Sequence, residues 1–211
     1  MGKLIPATLG MAGVGSAGLG SYIFLKPKPV PTFRERYVSA ILKNEDALWN
    51  TKFSTLTGKT PINLKLKEAA ATGGDEATKK LKLKHKEGCK EIYDSSSEEP
   101  KFLEDFKKYC SKTNKDASST TTWISDEVTT SSSNKWDTAL GNLKNHDISK
   151  KGELVEKLNQ LKLSLANKNS YDQDDRKPLK TWCDSVQLEL YEGSESVTFK
   201  NQELYCKEQQ G

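Results

Sequence analysis

Histidine is scarce in this sequence, with only two residues, His85 and His146, in a chain of 211. His85 precedes Cys89 by four positions, which places both on one helical face, but no CxxC or HxxxH pair accompanies them. The chain also lacks the GxxxxGK[ST] phosphate loop and the GxSxG nucleophile motif. We therefore interpret His85 as a surface or boundary residue beside a structural cysteine, and His146 as part of a polar loop. We expect no catalytic residue, metal or cofactor, and we predict that the protein is not an enzyme.

Apolar residues are also few, at 34% of the chain against 29% charged residues. Small domains with thin cores often depend on a covalent staple. A disulfide that closes a loop of about 20 residues contributes roughly 3 kcal/mol in the chain-entropy model. The net charge of +4 is that of an ordinary soluble surface, so composition does not favour nucleic acid as a partner.

Four cysteines stand in two pairs, and each pair ends one of two similar segments. The members of the pairs are 21 and 23 positions apart. A Trp in a helical-looking stretch precedes each pair. In each segment a Lys stands three positions before the first cysteine and a Tyr directly before the second, namely Lys86 and Tyr109, then Lys180 and Tyr205. This agreement in order and spacing indicates an internal duplication.

The duplication favours one disulfide inside each copy. Four cysteines allow three connectivities, and composition alone does not choose among them. We predict the bridges Cys89–Cys110 and Cys183–Cys206, which require an oxidising compartment. The alternative is four buried free thiols in a cytosolic protein.

Apolar residues at helical spacing predict a mainly α fold. One such stripe predicts a continuous helix at 34–56, and two prolines predict that further helices begin at Pro100 and Pro178. We expect three tryptophans within apolar stripes to anchor the core: Trp49, Trp136 and Trp182. The predicted organisation is a membrane segment at 1–26, a Pro-rich spacer at 27–33, helical repeat unit 1 at 34–115, a Ser/Thr-rich linker at 116–133 and helical repeat unit 2 at 134–211.

The segment from Leu4 to Leu25 carries no charged residue and is long enough to cross a bilayer as a helix. The first cysteine is Cys89, so a lipoprotein anchor is not expected, whereas a cleaved secretory signal remains an alternative to an uncleaved anchor. Basic residues after the segment favour a cytoplasmic body by the positive-inside bias, whereas paired cysteines favour an extracellular one. We predict an uncleaved signal anchor in the cell membrane, with the body outside the cell.

A basic run extends from Lys79 to Lys90, with leucines between the lysines. It is a candidate contact for a polyanion, either nucleic acid, a heparin-like glycan or acidic lipid. The competing interpretation is a solvated helical face whose aliphatic stems cover apolar neighbours. The candidate residues are Lys79, Lys80, Lys82, Lys84, Lys86 and Lys90.

Several motifs together resemble those of a known group of proteins. They are the Gly-rich apolar start GMAGVGSAGLGSYIFLKP, the helices with a single Trp, and the motifs LKTWC and ELYC of the second cysteine pair. In these features the chain is similar to the uncharacterised paralogous proteins that haemotropic mycoplasmas carry in large numbers. That family has no established activity, so no catalytic residue is carried over. The resemblance implies a membrane-associated protein of a wall-less blood parasite, displayed on its surface and varied among paralogues to evade antibody.

The leading hypothesis is a non-enzymatic, membrane-anchored surface protein that serves in antigenic display or binds a host cell-surface component. Antibody is a further expected partner, and self-association is left open. The alternative hypothesis is a cytoplasm-facing, membrane-anchored scaffold with reduced thiols, whose basic run binds anionic lipid or nucleic acid.

Overall fold

The computed structural model describes residues 29–44, 46–118, 122–130 and 132–208. Within these residues the regular structure is eleven α-helices, a 3₁₀ turn at Pro100–Phe102 and a π-helical turn at Phe106–Cys110, without a strand. The predicted mainly α fold is therefore confirmed, and the predicted membrane helix at 1–26 lies outside the described residues. The helices are α1 (Phe33–Arg36), α2 (Leu48–Leu56), α3 (Leu64–Ala69), α4 (Asp75–Asp94), α5 (Leu103–Asp105), α6 (Asn114–Ala117), α7 (Lys135–Lys144), α8 (Ile148–Lys151), α9 (Glu156–Ser164), α10 (Gln173–Val186) and α11 (Val197–Tyr205).

A first hydrophobic cluster is formed mainly by α2, α3, α4 and the π-helical turn. The Asn63 side chain accepts a hydrogen bond from the Leu66 N–H and so begins α3. Two acidic residues in the first turn of α4 suit the positive end of its dipole. As predicted, Pro100 opens the helical segment that leads to the second cysteine. Buried members of the cluster include Trp49, Leu56, Leu66, Ile92 and Phe106.

The continuous helix predicted at 34–56 is wrong, because α1 and α2 occupy only its two ends. Between them, Ile41 forms a β-bridge with Ser111. The Lys112 N–H donates to the Ala40 carbonyl oxygen at 2.8 Å. Because these hydrogen bonds to distant residues replace helical ones, the apolar stripe is divided between two short helices.

A second hydrophobic cluster is formed by α7, α9, α10 and α11. Asp172 and Asp175 form a capping box that begins α10 at Gln173. Pro178 therefore lies inside this helix, and the prediction that it opens the helix is wrong. The fully buried large side chains of the cluster include Trp136, Leu140, Leu165, Leu179 and Tyr205.

The two clusters share one packing arrangement. In the first cluster, the Trp-bearing helix α2 contacts α4 and the π-helical turn, which carry the two cysteines, and α4 also contacts that turn. In the second cluster, the Trp-bearing helix α7 contacts α10 and α11, and α10 also contacts α11. A further helix, α3 or α9, lies on the helix with the first cysteine. The Trp49 and Trp136 indole N–H groups both donate to backbone carbonyls, at 2.7 Å and 2.8 Å. This correspondence agrees with the internal duplication, which stays a prediction.

The segment that follows the first cysteine pair joins the two clusters. Thr113 forms a β-bridge with Leu190, and the buried Asn114 donates from Nδ2 to the Val186 carbonyl oxygen at 3.0 Å. Contacts accordingly group the chain from residue 31 onward into one compact unit. The unit boundaries predicted at 115/116 and 133/134 stay predictions.

The described part of the predicted linker at 116–133 packs against the second cluster. The Ile124 N–H donates to the Cys206 carbonyl oxygen at 3.0 Å, and Trp123 forms a β-bridge with Lys207. Ile124 is itself buried in that cluster. This segment therefore belongs to the packed body.

Candidate functional site

Both predicted disulfides are present. Cys89 pairs with Cys110 and Cys183 with Cys206, with Cα atoms 5.3 Å and 5.5 Å apart, so the predicted connectivity is confirmed. The four residues are at most 2% exposed. Because the sulfurs lie inside the two cores, the bridges act as structural staples and not as accessible redox groups. Trp49, Trp136 and Trp182 are also buried.

His85 is buried, so its interpretation as a surface or boundary residue is wrong. It lies on the face of α4 that carries Cys89, and this face packs into the core. Its Nε2 lies 2.8 Å from the Tyr109 carbonyl oxygen, and because a carbonyl only accepts, Nε2 carries the proton. Burial lowers the pKa of His85 from its ordinary 6.5, and Lys86 adds to this effect, whereas the Tyr109 hydrogen bond opposes it.

His85 is also close to the first disulfide. One ring nitrogen of His85 and the sulfurs of Cys89 and Cys110 lie within 4.8 Å of one another. Metal ions bind thiolates, whereas both sulfurs here are bonded to each other. In the disulfide form, the group therefore offers a metal ion only one imidazole.

We expect the protein to lose stability as the pH falls below about 6.5, because the fold holds His85 neutral. Its pKa is lowered in the folded state, so the unfolded chain takes up the proton first. The stabilisation that neutral His85 provides is complete at pH values above its ordinary pKa of 6.5. It is lost as the pH falls from 6.5 toward the lowered pKa of the folded state. Urea denaturation at about pH 7.5 and about pH 5.5 measures the loss.

The control for this pH effect is His85→Gln, which keeps an N–H donor for the Tyr109 carbonyl. The variant should show a smaller decrease in the free energy of unfolding between the two pH values. An unchanged decrease would contradict the assignment to His85.

His146 is a core residue that the sequence analysis missed, because its polar neighbours indicated a loop. Its Nε2 donates to the Gly152 carbonyl oxygen at 2.8 Å, so its Nδ1 accepts from the Tyr205 hydroxyl. Burial raises the pKa of Tyr205 to about 12, which keeps that hydroxyl protonated. No local pattern could have revealed the contact, because Tyr205 belongs to the last helix.

The six lysines of the predicted basic run all lie on α4, but they have different surroundings. Lys84 forms ion pairs with Glu68 at 3.5 Å and with Glu87 at 3.8 Å. Lys79 pairs with Glu76 at 2.6 Å. Lys80 is exposed and lies on the side of α4 that carries Lys84.

The remaining three lysines, Lys82, Lys86 and Lys90, follow one another at intervals of four residues, which aligns them on one face of α4. We call them the lysine stripe. None of the three is in an ion pair with a carboxylate of the described residues. Lys82 Nζ donates to Asn50 Oδ1 at 2.9 Å, and Lys86 Nζ donates to the Asn44 carbonyl oxygen at 3.2 Å.

Aromatic rings lie beneath part of the stripe. Lys82 Nζ is 5.8 Å from the Phe53 ring centroid, and Lys86 Nζ is 5.3 Å from the Trp49 ring centroid. Two hollows of about 330 Å³ and about 450 Å³ adjoin the stripe, and Trp49 and Lys86 line both. In these two contacts the ammonium groups themselves lie over the aromatic rings.

Several carboxylates near the stripe are engaged by other cations. These pairs are Asp46 with Lys112 at 2.7 Å, Asp94 with Arg34 at 2.9 Å and Glu91 with Lys65 at 3.0 Å. Hydrogen bonds from Lys65 and Asn63 lower the pKa of Glu91. The positive charge of the stripe is thus left without a paired carboxylate among the described residues, which makes it the candidate site for an anionic partner.

Comparison of the chain with protein-family models, with curated proteins and with solved structures finds no match. Among the described residues, no helix combines the length and the apolar character that crossing a membrane requires. The lysine stripe and the buried disulfides are therefore the features that support a functional proposal.

Proposed function

We propose that the protein is a non-enzymatic, membrane-anchored surface protein that binds a sulfated glycan of the host cell surface through the lysine stripe. The observation that carries this proposal is the alignment of three lysines without carboxylate partners among the described residues. The apolar segment from Leu4 to Leu25 supports the anchor. The two disulfides support a body outside the cell, where oxidising conditions preserve them.

The resemblance to the haemotropic mycoplasma proteins adds antigenic display to this proposal, with antibody as a second partner. The shared packing of the two clusters supports a body made of two related units, each closed by its own disulfide. Such a body tolerates variation in its exposed loops, because the covalent closure and the buried helices maintain the fold.

The geometry of the stripe suits a linear polyanion. Lysines four residues apart on a helix are separated by about 6 Å along its axis, so the stripe extends over about 12 Å. A chain of sulfate groups lying along α4 can contact all three ammonium groups and release the counterions of each contact. Lysine is a point charge that needs no fixed orientation of the anion, so the site should accept varied sulfation patterns.

Replacing Lys82, Lys86 and Lys90 together by Gln is expected to weaken binding to heparin strongly. A lysine near an anionic lipid surface contributes about 1 kcal/mol to binding. If each of the three lysines contributes the same amount here, the dissociation constant for heparin rises roughly 100-fold. Binding of the full chain to immobilised heparin at increasing salt measures the effect. The parent protein should show the steeper decline with salt, because it neutralises more anionic groups.

The matched control is the triple variant Lys67→Gln, Lys80→Gln and Lys84→Gln. It removes the same charge from α3 and from the other side of α4. This control should keep most of the affinity. Equal losses in the two triple variants would show that heparin responds only to net charge, and the stripe would then not be a site.

The alternative function is a cytoplasm-facing scaffold whose stripe binds anionic lipid or nucleic acid. The basic residues that follow the apolar segment favour it by the positive-inside bias. To separate the two, intact cells are treated with a membrane-impermeant alkylating agent and then lysed in denaturant with a second, permeant agent. An exported body leaves its cysteines unmodified by both agents, because they are paired. A cytoplasmic body gives thiols that carry only the second agent.

A further inference from the structure

A groove of about 650 Å³ lies between α9 and α10 in the second cluster. Its apolar lining consists of Leu158, Leu161, Pro178 and Trp182. Exposed polar residues border this lining, among them Asp174 and Lys177. The floor of the groove is thus apolar and its rim is polar, and the volume falls within the range of sites for small molecules.

The two clusters differ at the position that precedes the first cysteine of each pair. Gly88 directly precedes Cys89 on α4, and Trp182 directly precedes Cys183 on α10. A Cβ atom at Gly88 would lie only 2.9 Å from Leu66 Cδ2, so α3 packs against the bare backbone of α4. At the corresponding position of α10 an indole stands beside α9. The second cluster therefore cannot close its two helices as tightly, and space remains along Trp182.

The rim of the groove carries three charged residues, Lys157 on α9 and Asp174 and Lys177 on α10. Asp174 and Lys177 are three residues apart on α10, which places them on the same side of the helix. Neither is in an ion pair with another of the described residues. Pro178 has no N–H, so the Asp174 carbonyl oxygen lacks its usual helical donor and adds an acceptor at this end. A ligand that offers an anion and a cation side by side would complement this rim.

We propose that the groove binds a single-chain zwitterionic amphiphile of the lysophospholipid type. Its hydrocarbon chain lies along Trp182 and the leucines, its phosphate contacts Lys177, and its ammonium group contacts Asp174. The groove follows α9, which is about 14 Å long, a length suited to one extended chain. A second copy of the protein is a poor occupant, because a stable dimer interface buries about 800 Å² per partner. A groove that follows a single short helix offers much less area than that. The proposal does not depend on glycan binding by the lysine stripe.

The test uses the full chain in phosphatidylglycerol vesicles and an alkylphosphocholine whose chain carries a photoreactive diazirine, below its micelle concentration. Peptide mapping should place the label on α9 and α10. Excess dodecylphosphocholine should reduce this labelling about tenfold or more, whereas dodecyl maltoside, which has the same chain and an uncharged head, should leave most of it. The double variant Asp174→Asn and Lys177→Gln should lose this preference for phosphocholine.

Two adjacent residues of α9 provide a blocking variant and its control. Ser164 lines the groove, so Ser164→Trp should fill it and abolish the labelling. Leu163 is 68% exposed and does not line the groove, so Leu163→Trp should retain the labelling. If Ser164→Trp fails to fold, Thr181→Trp serves as the blocking variant, because Thr181 lines the groove on the α10 side. Label found only outside α9 and α10, label unchanged in the blocking variants, or equal competition by the two dodecyl compounds would overturn the proposal.

Discussion

Replacement of Arg176 by methionine is expected to lower the free energy of unfolding by about 3–5 kcal/mol, because it removes one partner of a buried charge pair. Arg176 is 4% exposed, and its guanidinium donates to the two carboxylate oxygens of Asp137 at 2.6 Å and 2.8 Å. It also donates to three backbone carbonyl oxygens, those of Val128 at 2.9 Å, Thr130 at 2.8 Å and Tyr171 at 3.0 Å.

Two of these five hydrogen bonds join Val128 and Thr130, in the segment at 122–130, to α10, and two join α10 to Asp137 on α7. Methionine fills a similar volume but removes the Arg176 donors from the carboxylate and from the Val128 and Tyr171 carbonyl oxygens. The Thr130 carbonyl oxygen keeps the hydrogen bond from Asn134 Nδ2. The Asp137 side chain is 35% exposed, so water can solvate part of its charge. The loss should therefore fall toward the lower end of the range.

Urea denaturation measures the effect, with Arg34→Met as the matched control. Arg34 forms an ion pair with Asp94, but the two side chains are 46% and 54% exposed, and exposed pairs contribute about 0–1 kcal/mol. Arg176→Lys keeps the charge without the planar fork of donors, so its stability should lie between the parent and Arg176→Met. If Arg176→Met costs no more than Arg34→Met, the buried network does not stabilise the fold as argued.

Loss of either disulfide is expected to lower the free energy of unfolding by about 3 kcal/mol, because each closes a loop of more than 20 residues in the unfolded chain. The variants are Cys89→Ala with Cys110→Ala, and Cys183→Ala with Cys206→Ala. The two loops have separations of 21 and 23, so the two losses should be nearly equal. Each bridge staples a cluster that has its own buried core.

The measurement is urea denaturation of the parent and of both variants, with and without a phosphine reductant. Reduction should destabilise the parent by more than it destabilises either variant, because the parent has two bridges to lose. The losses of the two variants should add in the protein that lacks all four cysteines, since the bridges lie in separate clusters. A variant as stable as the oxidised parent would contradict the staple role.

Much of the architecture could be predicted because it depends on local order along the chain. The mainly α fold was indicated by the helical spacing of apolar residues and by the position of Pro100. Both bridges were indicated by the repeated spacing of the cysteines. The helix predicted at 34–56 is wrong, because the β-bridge between Ile41 and Ser111 and the hydrogen bond from Lys112 to Ala40 interrupt it. The spacing of apolar residues shows which side chains share one face of a helix. It does not show that Ala40 and Ile41 would pair with Lys112 and Ser111, which lie far along the chain.

The candidate sites show the same limit. The basic run is visible in the sequence, but the pairing of Lys84 with Glu68 of α3 and the engagement of Asp46 by Lys112 depend on contacts between elements. His146 meets Tyr205, and Arg176 meets Val128 and Thr130, across long stretches of chain. None of these contacts leaves a local pattern.

The sequence by itself determined the mainly helical character, the pairing of the cysteines and the burial of the tryptophans, because periodicity and repeated spacing are properties of the order along the chain. Only the tertiary structure decided which charges remain unpaired on α4 and where the groove beside Trp182 opens. These outcomes depend on how helices that are remote in sequence pack together, and the local helical pattern does not contain that information.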